Sequence, residues 1–105
     1  MQLNWLDTAT PDSLSPGFPE KMVLLDCETT GGKAPYHRII EIGLLVVEEG
    51  QLVEKWQTFV DPRVPLPPFI QRLTGISPGM VAGAPEFADI AEELLSKLEG
   101  RTLVA

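Results

Sequence analysis

The order of apolar and polar positions divides the chain into short segments. Met22-Val23-Leu24-Leu25-Asp26 is an apolar run between Lys21 and a Thr-Thr-Gly-Gly stretch. Its length and aliphatic content predict a buried central strand. Gly31, Gly32 and Pro35 break Thr29 to Tyr36 into a loop. Arg38 to Glu48, rich in Ile, Leu and Val, predicts a longer second strand; Glu49-Gly50 predicts a tight turn and Leu52 to Val60 a third strand. In the third, Val53, Lys55, Gln57 and Phe59 alternate against Glu54, Trp56 and Thr58. Strands joined by so short a turn are antiparallel.

The period then changes. Asp61 to Pro68 holds four prolines and excludes regular structure. Phe69 to Leu73 predicts a turn of helix closed by Gly75, and Ser77 to Val81 another short turn. Between Pro85 and Glu99, Phe87, Ile90, Ala91, Leu94, Leu95 and Leu98 recur at helical spacing, with Gly100 as the stop. Glu92, Glu93 and Lys97 are expected on the outer face of that helix. Thr102 to Ala105 reads as a fourth strand returning to the sheet beside the first. The order β-β-β-α-β predicts an α/β fold: a three-stranded antiparallel meander, a helix and the start of a fourth strand. It is sensible as the first half of a domain. Residues 1–20 are dense in turn formers and are expected to be an irregular N-terminal extension, with Trp5, Leu6, Leu14 and Phe18 available to dock; residues 21–105 make the partial domain.

Composition narrows the function. The 105 residues are 44% hydrophobic and 22% charged, enough for a small core and too apolar for wholesale disorder. No run of eighteen apolar residues could span a membrane, and the N-terminus lacks the basic-then-apolar order of a secretory leader. Cys27 is the single cysteine, so a disulfide within the chain and a cysteine-rich zinc site are excluded; a reducing, cytoplasmic setting is expected. Eight basic residues against fifteen acidic give net charge −7, which argues against a basic, non-specific nucleic-acid binder. It leaves room for an enzyme that meets phosphates through cations held by carboxylates.

Asp26-Cys27-Glu28 supplies that possibility. Positions i and i+2 of a strand share one face, so Asp26 and Glu28 are carboxylates about 7 Å apart along the backbone, within reach of shared hard cations. They stand where a buried strand exits, a place with no packing reason for acids. Asp-x-Glu alone is uninformative, since chance yields it roughly 0.4 times in a chain this long. Thr29, Thr30 and Gly31 add hydroxyls and backbone amides beside the acids, which suit a phosphate-bearing substrate.

The full run Asp-Cys-Glu-Thr-Thr-Gly (Asp26 to Gly31), Ile-Ile-Glu-Ile-Gly (Ile39 to Gly43), Thr-Gly-Ile (Thr74 to Ile76) and Pro-x-Phe (Pro85, Phe87) resembles, in order and spacing, the N-terminal half of a DnaQ-like 3′–5′ exonuclease of the DEDD superfamily. The proofreading epsilon subunit of bacterial DNA polymerase III is the nearest type. The resemblance implies an RNase H-like fold and a two-metal hydrolysis of nucleic-acid 3′ ends with Mg2+ or Mn2+. It makes Asp26 and Glu28 the metal ligands and catalytic carboxylates. It places Thr29 and Thr30 at the terminal nucleotide, and Thr74 with the apolar Phe69, Ile70 and Leu73 near the terminal base or sugar. Other members carry a polar residue at the position of Phe69. The partner it implies is a single-stranded 3′ end of DNA; a replicative polymerase subunit and self-association through the incomplete sheet are further expected partners.

The same resemblance implies two more aspartates and a histidine base on later motifs, which these residues do not contain. The isolated chain is therefore expected to be inactive and to bind a cation weakly. His37 does not match the family histidine and reads as a loop residue. Glu41 matches a family glutamate and reads as a structural contact in the sheet, Cys27 as a small core residue facing away from Asp26 and Glu28, and Trp56 and Phe59 as sheet packing. Glu48, Glu49, Glu92 and Glu93 read as solvated charges. The alternatives are a non-catalytic interaction module, the exonuclease part of a fusion with a repair endonuclease, and an enzyme that processes RNA ends.

Overall fold

In the computed structural model of the chain, the residues described are 20–31 and 37–105. The docking expected of Trp5, Leu6, Leu14 and Phe18 lies outside them.

The elements run β1 (Lys21–Thr29), β2 (Ile39–Glu48), β3 (Gln51–Phe59), α1 (Pro68–Thr74), α2 (Pro78–Val81), α3 (Phe87–Leu98) and β4 (Thr102–Val104). The strands form one sheet in the order β3-β2-β1-β4. β1 and β3 pair antiparallel with β2, and β4 lies parallel to β1, with Leu24 opposite Val104. The β2–β3 connection is two residues, Glu49 (φ 53°) and Gly50 (φ 76°). Positive φ at both central positions is the hairpin turn whose twist matches its strands.

The central position of β1 and β2 explains their composition. Both faces of β2 are covered, and Ile40 to Val47 is buried without a break. On one face Val23, Ile42, Leu44, Val46 and Val60 pack against Ile90 and Leu94 of α3. The helix stripe predicted from the sequence is wider than the buried stripe: Phe87 and Leu95 are exposed. Helix α3 also begins later than the Pro85 expected; the Asp89 carboxylate accepts the N–H of Glu86 (3.0 Å) and defines the first turn. Lys97 is not on the outer face. It lies over the Trp56 ring (5.7 Å) and pairs with Glu54, so it fastens α3 to β3. Glu48 is not a free solvated charge either, since its carboxylate pairs with Arg101 (3.0 Å) just before β4.

A second cluster, Ile40, Leu66, Ile70, Ile76 and Val81, packs α1 and α2 onto the end of the sheet where β1 exits. It exists because the register shifts between Glu28 and Thr29: Glu28 pairs with Glu41, Thr29 with Ile39, and Ile40 is the extra residue. Such a bulge turns one side chain to the other face. Ile39 and Ile42 accordingly join the α3 cluster, and Ile40 joins the α1 cluster.

Candidate functional site

β1 runs through Cys27, Glu28 and Thr29, three residues beyond its apolar stretch, so Thr29 is strand rather than loop. Ladder pairing with Ile39 to Ile42 holds these polar residues extended. Strand alternation then fixes their directions. Cys27 packs at the margin of the α3 cluster, and Asp26 and Glu28 share the opposite face. Asp26 is exposed, and its Oδ1 accepts the N–H of Cys27 (2.9 Å). It also lines a shallow cleft of about 330 Å³ with Leu24, Leu25, Val104 and Ala105, along the seam between β1 and β4.

The two acids sit differently. Asp26 pairs across the sheet with Gly43, which has no side chain to crowd it; Glu28 is half-buried and pairs with Glu41. Burial, joined by the negative charge of Asp26, pushes the Glu28 carboxyl above its ordinary value of 4.5. Burial, then the charges of Asp26 and Glu28, push the Cys27 thiol up as well.

The threonines after the acids shape the exit loop. Thr29 Oγ1 accepts the N–H of Gly31 (3.1 Å). Thr30 is buried; its Oγ1 accepts the N–H of Arg38 (2.9 Å), and its own N–H donates to the carbonyl of Arg38 (2.8 Å). Gly31 adopts φ 75°, and a Cβ there would stand 2.9 Å from Ile70 Cδ1. The left-handed backbone is what favours glycine here; an added Cβ would meet only the tip of the Ile70 side chain.

Helix α1 divides the residues expected near a substrate. Ile70 points into the core, whereas Phe69 (63% exposed) and Leu73 (60%) present apolar surface to solvent. Thr74 is buried at 2%: its hydroxyl donates to the Ile70 carbonyl (2.8 Å) and accepts the Ile76 N–H (3.1 Å). In this arrangement Thr74 closes the end of α1, followed by Gly75 in the left-handed conformation. His37 is exposed ahead of β2.

Sequence reasoning missed Gln57. Its Nε2 donates to Glu41 Oε2 (2.8 Å), and Glu41 is 2% exposed. The residue carries no motif; only the β2–β3 register, which sets Gln57 opposite Gly43, brings it to the row of the acids.

Two hard oxygen donors on one strand face suit Mg2+ or Mn2+ in kind. Among the described residues no group of three or more His, Cys, Asp or Glu converges to hold a metal. The chain thus offers part of a coordination shell, and the donors present fit a hard divalent cation.

The profile of the Exonuclease family matches residues 23–105, which span every element of the sheet and all three helices. The chain belongs to this exonuclease family. A 3′–5′ exonuclease DinG of Bacillus subtilis is 38% identical over 87 residues, 82% of this chain and 9% of that protein. A PolC-type DNA polymerase III of Clostridium perfringens is 36% identical over 88 residues, 84% of this chain and 6% of that protein. The chain therefore spans less than a tenth of these relatives. Among solved structures, Exonuclease X in complex with 5′ overhanging duplex DNA superposes with a TM-score of 0.61 at 27% identity, over 70% of this chain and 42% of that one. The nuclease domain of 3′hExo, a DEDDh family member bound to rAMP, superposes with a TM-score of 0.65 at 22% identity, over 78% of this chain and 45% of that one. The exonuclease family and the RNase H-like α/β fold expected from the motifs both hold.

Proposed function

We propose that the chain forms the N-terminal part of a 3′–5′ exonuclease domain acting on DNA 3′ ends, in the proofreading setting of a bacterial replicative polymerase. The observation that carries this reading is the pair Asp26 and Glu28 on one face at the exit of β1, inside a run that matches the family. The named polymerase among the relatives favours DNA and replication. Similarity to the rAMP-bound nuclease domain is 22% in sequence and speaks for the fold alone.

In this reading Asp26 and Glu28 hold divalent cations, which supply an activated water and neutralise charge on the phosphate when bound. Thr29 and the backbone after it orient the terminal nucleotide. The exposed Phe69 and Leu73 give its base an apolar surface. Thr30 acts from behind: its two hydrogen bonds with Arg38 keep the strand exit in shape. Two carboxylates bind such cations weakly, and the chain alone is expected to engage a 3′ end without turnover.

Fluorescence anisotropy of a labelled single-stranded DNA tests this. Binding should rise when Ca2+ is added, and Asp26→Ala should remove the rise. In Mg2+ the chain alone should release no mononucleotide. Binding indifferent to both cation and Asp26 would overturn the assignment.

A further inference from the structure

A larger cleft, of about 520 Å³, lies on the α3 face of the sheet, the face away from Asp26 and Glu28. Its lining draws nothing from the run Asp26 to Gly31. Ile39 and Val60 of the α3 cluster, the buried Pro62 and the half-exposed Phe87 give it apolar walls, and Arg38 and Arg63 add two guanidinium groups. The walls are tied together. The N–H of Asp61 donates to the carbonyl of Pro85 (2.9 Å), which joins the loop after β3 to the start of α3. Arg63 holds φ 60°, a left-handed conformation uncommon for a residue with a side chain, and Asp61 Oδ1 fixes it by accepting the Arg63 N–H (2.9 Å). Backbone held in that region tends to mark functional places. Asp61 and Glu86 also line the cleft, and both are engaged with Arg63: Asp61 through that bond, Glu86 through an exposed ion pair (3.5 Å). The guanidinium of Arg38 has no carboxylate partner among the described residues.

We propose that this cleft is a second binding site, for a nucleoside monophosphate, with the base against Phe87 and Pro62 and the phosphate between Arg38 and Arg63. Apolar walls with a few charged groups, at this volume, are the usual make-up of a small-ligand site. A guanidinium fork matches phosphate oxygens in pairs, and an exposed aromatic face stacks a base. The ion pair of Arg63 with Glu86 is exposed at both ends, so it is weak and a phosphate can take its place. A bare phosphate would leave the apolar walls unused, and an uncharged ring would leave Arg38 unmatched. The site needs no metal ion, so it stands or falls apart from the role proposed above for Asp26 and Glu28.

The test titrates dAMP into the full 15N-labelled chain in EDTA and follows the NMR spectrum. Saturable shifts should appear at the side-chain N–H groups of Arg38 and Arg63 and at the amides of Phe87 and Ala88. Arg38→Gln and Phe87→Ala, both at exposed positions, should each weaken dAMP binding about tenfold with melting temperatures little changed. Lys55→Gln, outside the cleft, should leave affinity as it was. Deoxyadenosine and inorganic phosphate should each bind more weakly than dAMP. No saturable binding, affinity unchanged in either cleft variant, or equal binding of inorganic phosphate would overturn the site. So would a single-stranded 10-mer that binds in EDTA where dAMP does not. Shifts that need Mg2+ and centre on Asp26 to Thr29 would overturn it too, and would leave the reading of those acids standing.

Discussion

At the residue scale, the informative contrast is between side chains that face solvent near the strand exit and those that are tied to backbone. Phe69 is exposed and Thr74 is buried with its hydroxyl engaged on two backbone groups, although the family pattern places both near the substrate. Phe69→Ala should leave stability within about 0.5 kcal/mol and weaken 3′-end binding about tenfold, the worth of one base–aromatic stack; anisotropy and urea unfolding separate the two. Thr74→Val should do the reverse, costing about 1–3 kcal/mol of stability through a buried N–H left without its acceptor. Glu28 gives a pH signature. Its carboxyl titrates above 4.5 in the folded chain, so the folded state holds a proton that the unfolded state has released. The stability this group contributes is fully present below 4.5 and is lost as pH rises through the folded value. Asp26→Asn removes one of the upward causes, and the NMR titration of Glu28 should then move to lower pH. The carboxylate pair was legible in the sequence because strand alternation needs only i and i+2. The roles of Gln57 and Thr74 were not, because they depend on cross-strand register and on a helix end.

At the element scale, apolar run length located every strand and left the bounds to pairing. β1 was expected to carry Asp26-Cys27-Glu28 at its end and to turn into loop at Thr29; Thr29 is instead its last residue, because β2 offers it a ladder partner in Ile39. The same pairing creates the bulge at Ile40 that seats α1 beside the exit loop. No pattern of apolar residues reports a bulge, since the shift lies in the hydrogen bonds of two strands. Periodicity likewise gave the face of α3 but not its contact width. Ile90 and Leu94 are buried, while Leu95 of the same stripe stays exposed. Lys97 shows the limit from the polar side: its charge suggested solvent, and its stem and ammonium serve Trp56 and Glu54 instead.

At the scale of the whole molecule, the order of strands was readable from connection lengths. The two-residue turn fixes β2–β3, and a helix crossover returns β4 parallel to β1. No described helix is long and apolar enough to cross a membrane. In the function proposed above, a net charge of −7 requires that DNA be met through bound cations rather than through a basic surface. Binding without divalent cations should therefore be negligible at physiological salt, and adding Ca2+ should strengthen it. A basic binder would show affinity without Ca2+ that falls steeply with salt.

The central claim, that Asp26 and Glu28 hold a divalent cation at the exit of β1, is tested most directly by iron-directed cleavage of the chain. Fe2+ replaces Mg2+, ascorbate and peroxide generate hydroxyl radicals at the bound ion, and the cut positions are read by mass spectrometry. Cuts should cluster around Asp26 to Thr29 and the facing Glu41 to Gly43, should fade with excess Mg2+, and should vanish in Asp26→Ala. Cuts scattered along the chain, or unchanged in that variant, would contradict the claim.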